Sequence, residues 1–221
     1  MSILFVLLTF LLTLTVMYFR EPRAAEDTAQ VGGGKPVPPP MMMKFEGLEI
    51  PRGYAFHLGH TWLSDEGNQN GRVGIDAFAA NLLGEIDSIE IAGLNRWIRQ
   101  GQPLCTVTRG DRKVGLLSPV EGVVTSINHE LRKDPNLAVN DPYKGGWLCV
   151  VKAPELSTNS RNLLQGPIVP AWMRNSVARS REMLSRLTPT LAQDGGIPVR
   201  GVLFRVSAGV QHQLAKELFL T

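Results

Sequence analysis

The chain has 221 residues, of which 43% are hydrophobic and 19% charged. That is enough for one medium domain with extensions or two small ones. A net charge of +3 with a pI near 9.0 is only mildly basic. No aromatic-plus-basic stripe accompanies it, which argues against a nucleic-acid partner. Cys105 and Cys149 stand far apart in apolar runs with no CxxC pair, which argues against a zinc or redox motif, and both read as buried strand thiols.

Residues 3–19 (ILFVLLTFLLTLTVMYF) form an uncharged apolar run of 17 residues. This is near the lower limit for a membrane-spanning helix and too apolar all round for an amphipathic one. A cleaved signal peptide fits less well, because no Lys or Arg precedes the run and no small-x-small site follows it closely. The reading is a retained anchor over residues 1–20, with Ile3, Phe5, Leu7, Phe10 and Leu12 in lipid and Tyr18 and Phe19 near the headgroups. Arg20, Arg23, Lys35 and Lys44 follow it. The positive-inside bias then predicts a single-pass inner (cytoplasmic) membrane protein whose main domain is cytoplasmic.

Residues 21–52 change composition, with a glycine run and then KPVPPPMMM. This predicts a Pro/Gly-rich tether, in which PVPPP and Met41, Met42 and Met43 are either plain linker or a strip packed on a partner.

From Gly53, short alternating segments punctuated by Gly, Asn and Asp predict a β protein over residues 53–153. The expected strands are GHTWL, GRVGID, GEIDSIEIAGL, QPLCTVTR, VGLLSPV, GVVTSIN and GWLCVVKA. AFAANLLG (residues 77–84) breaks the alternation and predicts a short helix ending on Gly84, with Asp76 as its N-cap. A two-sheet sandwich or barrel follows from many short strands.

GHTWL followed by VGIDAFAANLLGEIDSIEI, then SPVEGVVTSIN, then LRKDPNLAVNDPYKGGWLCVVK, runs from about His60 to Val151. In that order and spacing, these blocks resemble the glycine-cleavage H protein family. The resemblance implies a mainly β, lipoyl-type flattened barrel of two sheets with short helices. It also implies a lysine at a hairpin tip that carries lipoic acid, whose dithiolane shuttles an aminomethyl group and electrons among partner enzymes.

The family's tip lies about ten residues after a turn glycine and about seven before the Ser-Pro-Val serine. Counting from Gly101 forward and from Ser118 back both reach Asp111. A carboxylate cannot form the amide with lipoate, so no cofactor is expected. The sequence TRGDRK predicts a turn with Gly110 and Asp111 as its central pair and Lys113 beyond it on the hairpin arm. Thr108 stands where the family has an acidic residue. Arg109, Asp111, Arg112 and Lys113 read as a solvated tip, as a partner contact, or, for Lys113, as a displaced modification site.

His57 and His60 have a ligand-like spacing but no third or fourth ligand nearby, so a structural role is expected and no metal. Glu85, Asp87 and Glu90 read as the solvated side of a strand. With no nucleophile–base set, P-loop or dinucleotide fingerprint, no enzyme and no small-molecule substrate are expected.

Residues 154–221 extend beyond the resemblance. PAWMRNSVARSREMLSRL predicts a helix opened by Pro167 and Pro170, with Met173, Val177, Leu184 and Leu187 on one side and Arg174, Arg179, Arg181 and Arg186 making it basic. It packs on the β domain or lies on an anionic membrane or acidic partner. VLFRV reads as a short strand or extended segment, and Ser207 as the cap of a final helix ending in a buried Leu218–Leu220 stretch.

Two functions remain. One is a non-catalytic, membrane-anchored interaction subunit of a larger complex, respiratory or photosynthetic, contacting other subunits through Arg109, Asp111, Arg112, Arg174 and Arg181. The other is an acyl or aminomethyl carrier modified at Lys113.

Overall fold

A computed structural model describes residues 41–45, 47–188 and 198–221. The expected anchor residues Ile3, Phe5, Leu7, Phe10, Leu12, Tyr18 and Phe19 lie outside them. Among the described residues no helix is long and apolar enough to cross a membrane.

Among the described residues, eleven strands and seven helices follow in chain order. β1 (Met42–Phe45) and β2 (Leu48–Pro51) pair as a hairpin, and β3 (Ala55–Phe56), β4 (Thr61–Asp65) and β5 (Asn70–Ile75) lead to α1 (Ala77–Leu83). Then come β6 (Ser88–Ile91), β7 (Trp97–Ile98), β8 (Pro103–Arg109), β9 (Arg112–Leu117) and β10 (Gly122–Ile127). Two one-turn helices, α2 (Glu130–Lys133) and α3 (Leu137–Asn140), precede β11 (Cys149–Lys152). The chain ends in α4 (Leu156–Arg161), α5 (Ile168–Leu187), α6 (Val202–Arg205) and α7 (Ala208–Phe219).

The strands form a six-stranded sheet ordered β3-β4-β5-β11-β10-β7, a three-stranded sheet β6-β8-β9 and the β1-β2 hairpin. Their inward faces alternate with outward ones, as at Val107 opposite Val114 and Val124 opposite Val151, all buried. One core joins both sheets and the C-terminal helices, with Phe56, Trp62, Phe78, Met173 and Phe219 among its largest members. Among the described residues the core runs from Leu48 to Phe219, within one compact unit that begins at Pro40.

α1 forms where the alternation breaks. Asp76 Oδ1 accepts from the Ala79 N–H at 2.8 Å, and Gly84 closes the helix by donating to the Ala80 carbonyl.

Of the tether expected over residues 21–52, residues 21–40 lie outside the described residues, and the last part is folded. Residues 42–51 form the β1–β2 hairpin, and Leu48 and Ile50 enter the core. The run of three methionines hid this, because it shows no polar–apolar alternation. VLFRV is not extended: Val202–Arg205 is a helical turn, with Val202 and Leu203 buried by tertiary packing that overrides β-branched preference. The long helix begins at Ile168, two residues before the expected Pro170. Pro170 sits within its first turn, where a missing N–H costs nothing. Ser207 is the N-cap of α7 by position but makes no side-chain cap hydrogen bond. Leu218 and Phe219 are buried, whereas Leu220 is 49% exposed.

Candidate functional site

The family's modification site would lie at the end of the β8–β9 hairpin. Arg109 pairs with Arg112 as the last rung, leaving Gly110 and Asp111 as a two-residue turn. Gly110 has φ +60° and Asp111 does not enter the left-handed region, the pattern of a type II′ turn. Asp111 is exposed at the apex.

The turn is held from three directions. The Gly110 N–H donates to Asp87 Oδ2 at 2.7 Å. Arg109 Nη2 lies 3.4 Å from Glu85 Oε2. Arg112 Nη1 donates to the carbonyls of Phe204, at 3.2 Å, and Val206. Those two oxygens belong to the last turn of α6 and its cap, groups that a short helix leaves without partners. Arg112 is therefore committed to its own C-terminal segment, which limits what it can offer a partner. Glu85 and Asp87 serve as braces for the tip.

Lys113 sits opposite Thr108, on the face away from Val107 and Val114, with its side chain exposed. Its carbonyl is at the free edge of the three-stranded sheet. There α7 covers β9: Gln211 Nε2 donates to Lys113 O, and Thr221 Oγ1 to Gly115 O, each at 3.4 Å. An uncovered edge would be a template for other strands, and the C-terminal helix removes it.

The structure brings Arg109, Asp111 and Arg112 together and leaves the other two candidates elsewhere. Arg174 is exposed on α5, and Arg181 is half-buried there with its Nε lacking a hydrogen-bond partner. Val169, Met173, Val177, Met183 and Leu184 of that helix lie in the core, so its apolar side is already occupied.

The deepest polar pair was only half visible in the sequence. His60 Nδ1 lies 2.7 Å from Asp76 Oδ2, with the residues 1% and 0% exposed. The ring stacks on Trp172 at 4.6 Å and 19° and meets Phe78 at 4.4 Å. A histidine so enclosed cannot reach a substrate, and the pair serves to join α1, β4 and α5. His57 accepts the Gly59 N–H on Nδ1 at 3.0 Å, and burial, with His60 beside it, lowers its pKa. Among the described residues no group of three or more His, Cys, Asp or Glu is placed to hold a metal ion. Both cysteines are buried and free; burial pushes the Cys149 thiol up to about 12 and raises that of Cys105 too, which suppresses the nucleophilic thiolate.

An apolar cavity of about 350 Å³ opens where the β1–β2 hairpin meets the start of α5, lined by Met43, Tyr54, Phe56, Pro167 and Val169, with Arg52 as its one cation. It offers shape but no reacting group.

The family model described as "Glycine cleavage H-protein" matches residues 54–173, which carries the likeness past Val151 through α4 and into α5. The probable glycine cleavage system H protein 1, mitochondrial, of Dictyostelium discoideum is 34% identical over 94 residues, 42% of this chain and 64% of that protein, so the chain spans just under two thirds of its length. The glycine cleavage system H protein of Bacillus cereus (strain AH820) is 32% identical over 110 residues, covering 50% of this chain and 86% of the relative. The crystal structure of a glycine cleavage system H protein from Mycobacterium marinum overlays with a TM-score of 0.49 at 22% identity, over 57% of this chain and 99% of that one. With more than half of its length matched by the family model, and most of the Bacillus protein covered, this chain belongs to the glycine cleavage H-protein family.

Proposed function

We propose that this protein is an H-protein-like interaction module that does not carry lipoate, held at a membrane by its apolar N-terminal run and working by contact with other protein subunits. The observation that carries the reading is Asp111 at the exposed apex of the hairpin. Lipoylation forms an amide on a primary amine, and a carboxylate offers none. The fixing of the same hairpin to the C-terminal segment through Arg112, and the covering of β9 by α7, add support. A swinging arm needs a free tip and open space beside it, whereas this hairpin is braced like a structural element.

A second reading has one observation in its favour. Lys113 is an exposed amine only two residues past the apex, so an acyl or aminomethyl carrier modified there is the alternative.

Intact mass of the protein isolated from its native membranes separates the two. The first reading expects an unmodified chain that co-purifies with other subunits in mild detergent. A lipoyl- or acyl-sized increment mapped to Lys113 overturns it and establishes the carrier; recovery as a lone unmodified monomer removes both.

A further inference from the structure

β7 closes one edge of the six-stranded sheet, and its register sets Trp97 opposite Val123, which in turn stands opposite Lys152. Their neighbours Ile98, Val124 and Val151 are buried, so Trp97, Val123 and Lys152 share the outer face. Trp97 is 49% exposed, and Leu94 three residues earlier is 56% exposed. The backbone beneath them is braced: the Asn95 N–H donates to Val124 O at 2.8 Å, and the Val124 N–H to Arg96 O at 3.0 Å. The strand thus holds Trp97 outward, and Leu94 stands exposed in the turn that precedes it. Arg96 and Arg99 are exposed beside them, and neither forms an ion pair with a carboxylate among the described residues.

We infer that Leu94 and Trp97, with the exposed Arg96 and Arg99 next to them in the chain and Lys152 on the same outer face as Trp97, are a second contact of this protein with an anionic bilayer surface. An indole and a leucine seat at headgroup level, and arginines attract anionic lipid at roughly 1 kcal/mol each near the surface. Two large side chains are too little for a stable protein interface, which takes about 800 Å² per partner. A lipid contact needs less: the two seated apolar side chains and the three cations together supply a marginal, reversible partitioning on their own, which attachment elsewhere in the chain strengthens. That step rests on the tethered reading above; the 21 residues from Arg20 through Pro40 can span at most about 75 Å. Antiparallel pairing with a second copy through β7 is disfavoured, since centring it between Trp97 and Ile98 sets Arg96 against Arg99 of the other copy.

The test uses residues 41–221, the compact unit that holds the core from Leu48 to Phe219, mixed with vesicles of neutral lipid or of neutral lipid with about a third anionic lipid. Expected is co-sedimentation with the anionic vesicles alone. L94S/W97S and R96E/R99E should each lower partitioning by roughly tenfold or more. A charge-matched R132E/R186E variant, altered elsewhere, should keep most of it, with circular dichroism verifying the fold of each. A fragment that ignores both vesicle types overturns the inference and leaves the patch to an acidic protein partner; equal loss in R132E/R186E overturns it as well. Alkaline carbonate extraction of the full chain reports on the anchor separately. A full chain that resists extraction beside a fragment that ignores vesicles spares the anchor and sinks this contact, and the reverse result does the opposite.

Discussion

Gly84 and Gly201 meet backbone to backbone: a Cβ on Gly84 would lie 2.4 Å from Gly201 Cα and 2.7 Å from its nitrogen. The Gly201 N–H also donates to Asn81 O at 2.8 Å, and Asn81 Nδ2 donates to Pro198 O at 2.7 Å. The C-terminal segment is therefore clamped to the end of α1, beside the residues that brace the hairpin tip.

Gly84→Ala is expected to destabilise the protein by roughly 2–4 kcal/mol. Gly84 has φ +64° with ψ −138°, a region almost reserved for glycine, and the new methyl would strike backbone that cannot yield. Urea unfolding measures it. A loss of under about 0.5 kcal/mol would mean that the segment from Pro198 on is not packed this closely.

Arg112→Met should cost roughly 1–3 kcal/mol, because the carbonyls of Phe204 and Val206 lose a charged donor. Limited proteolysis should then cleave first around α6. If cleavage and stability match the parent, Arg112 is free for partner contact after all.

Asp76→Ala is expected to cost roughly 3 kcal/mol or more, since it removes the α1 cap and leaves the enclosed His60 ring unpaired. Asp76→Asn keeps an oxygen for the Ala79 N–H and should cost distinctly less. Equal losses for the two would place the whole effect on charge.

Stability should fall above about pH 9, and the sign follows from burial. Desolvation raises Tyr143 well above 10, with the Asp76 charge adding to it, and it raises Tyr54 as well. Unfolded phenols ionise from pH 10 and unfolded thiols from pH 9 while the folded groups stay neutral, Cys149 up to about 12. Their contribution is complete below those values and is lost as pH rises. Tyr143→Phe should flatten this alkaline slope while costing about 1 kcal/mol at neutral pH, because its oxygen accepts the Ala77 N–H. His57, held low by burial, works in the other direction: its contribution is present above pH 6.5 and is lost as pH falls from there through its lowered folded value.

Local chemistry was legible in the sequence. The Gly-Asp turn, the Asp76 cap with the Gly84 stop, the main strands and the arrival of Asp111 at the apex all depend on neighbours within a few residues or on fixed spacing. Family membership was legible for the same reason, through ordered blocks at kept distances.

What depended on remote partners was not. The helical turn at Val202–Arg205, the pairing of His60 with Asp76 and the inward turn of Arg112 toward Phe204 each depend on contacts with other segments, while the β1–β2 hairpin, though local, was hidden by its run of methionines. Residues 92 apart cannot be matched by periodicity, as with Arg112 and Phe204. The sequence alone settled that the hairpin apex lacks an amine, because that requires only counting. Whether the hairpin is free or strapped was decided by tertiary structure, since the strap is built from carbonyls and glycine contacts that acquire meaning only when distant segments are brought together.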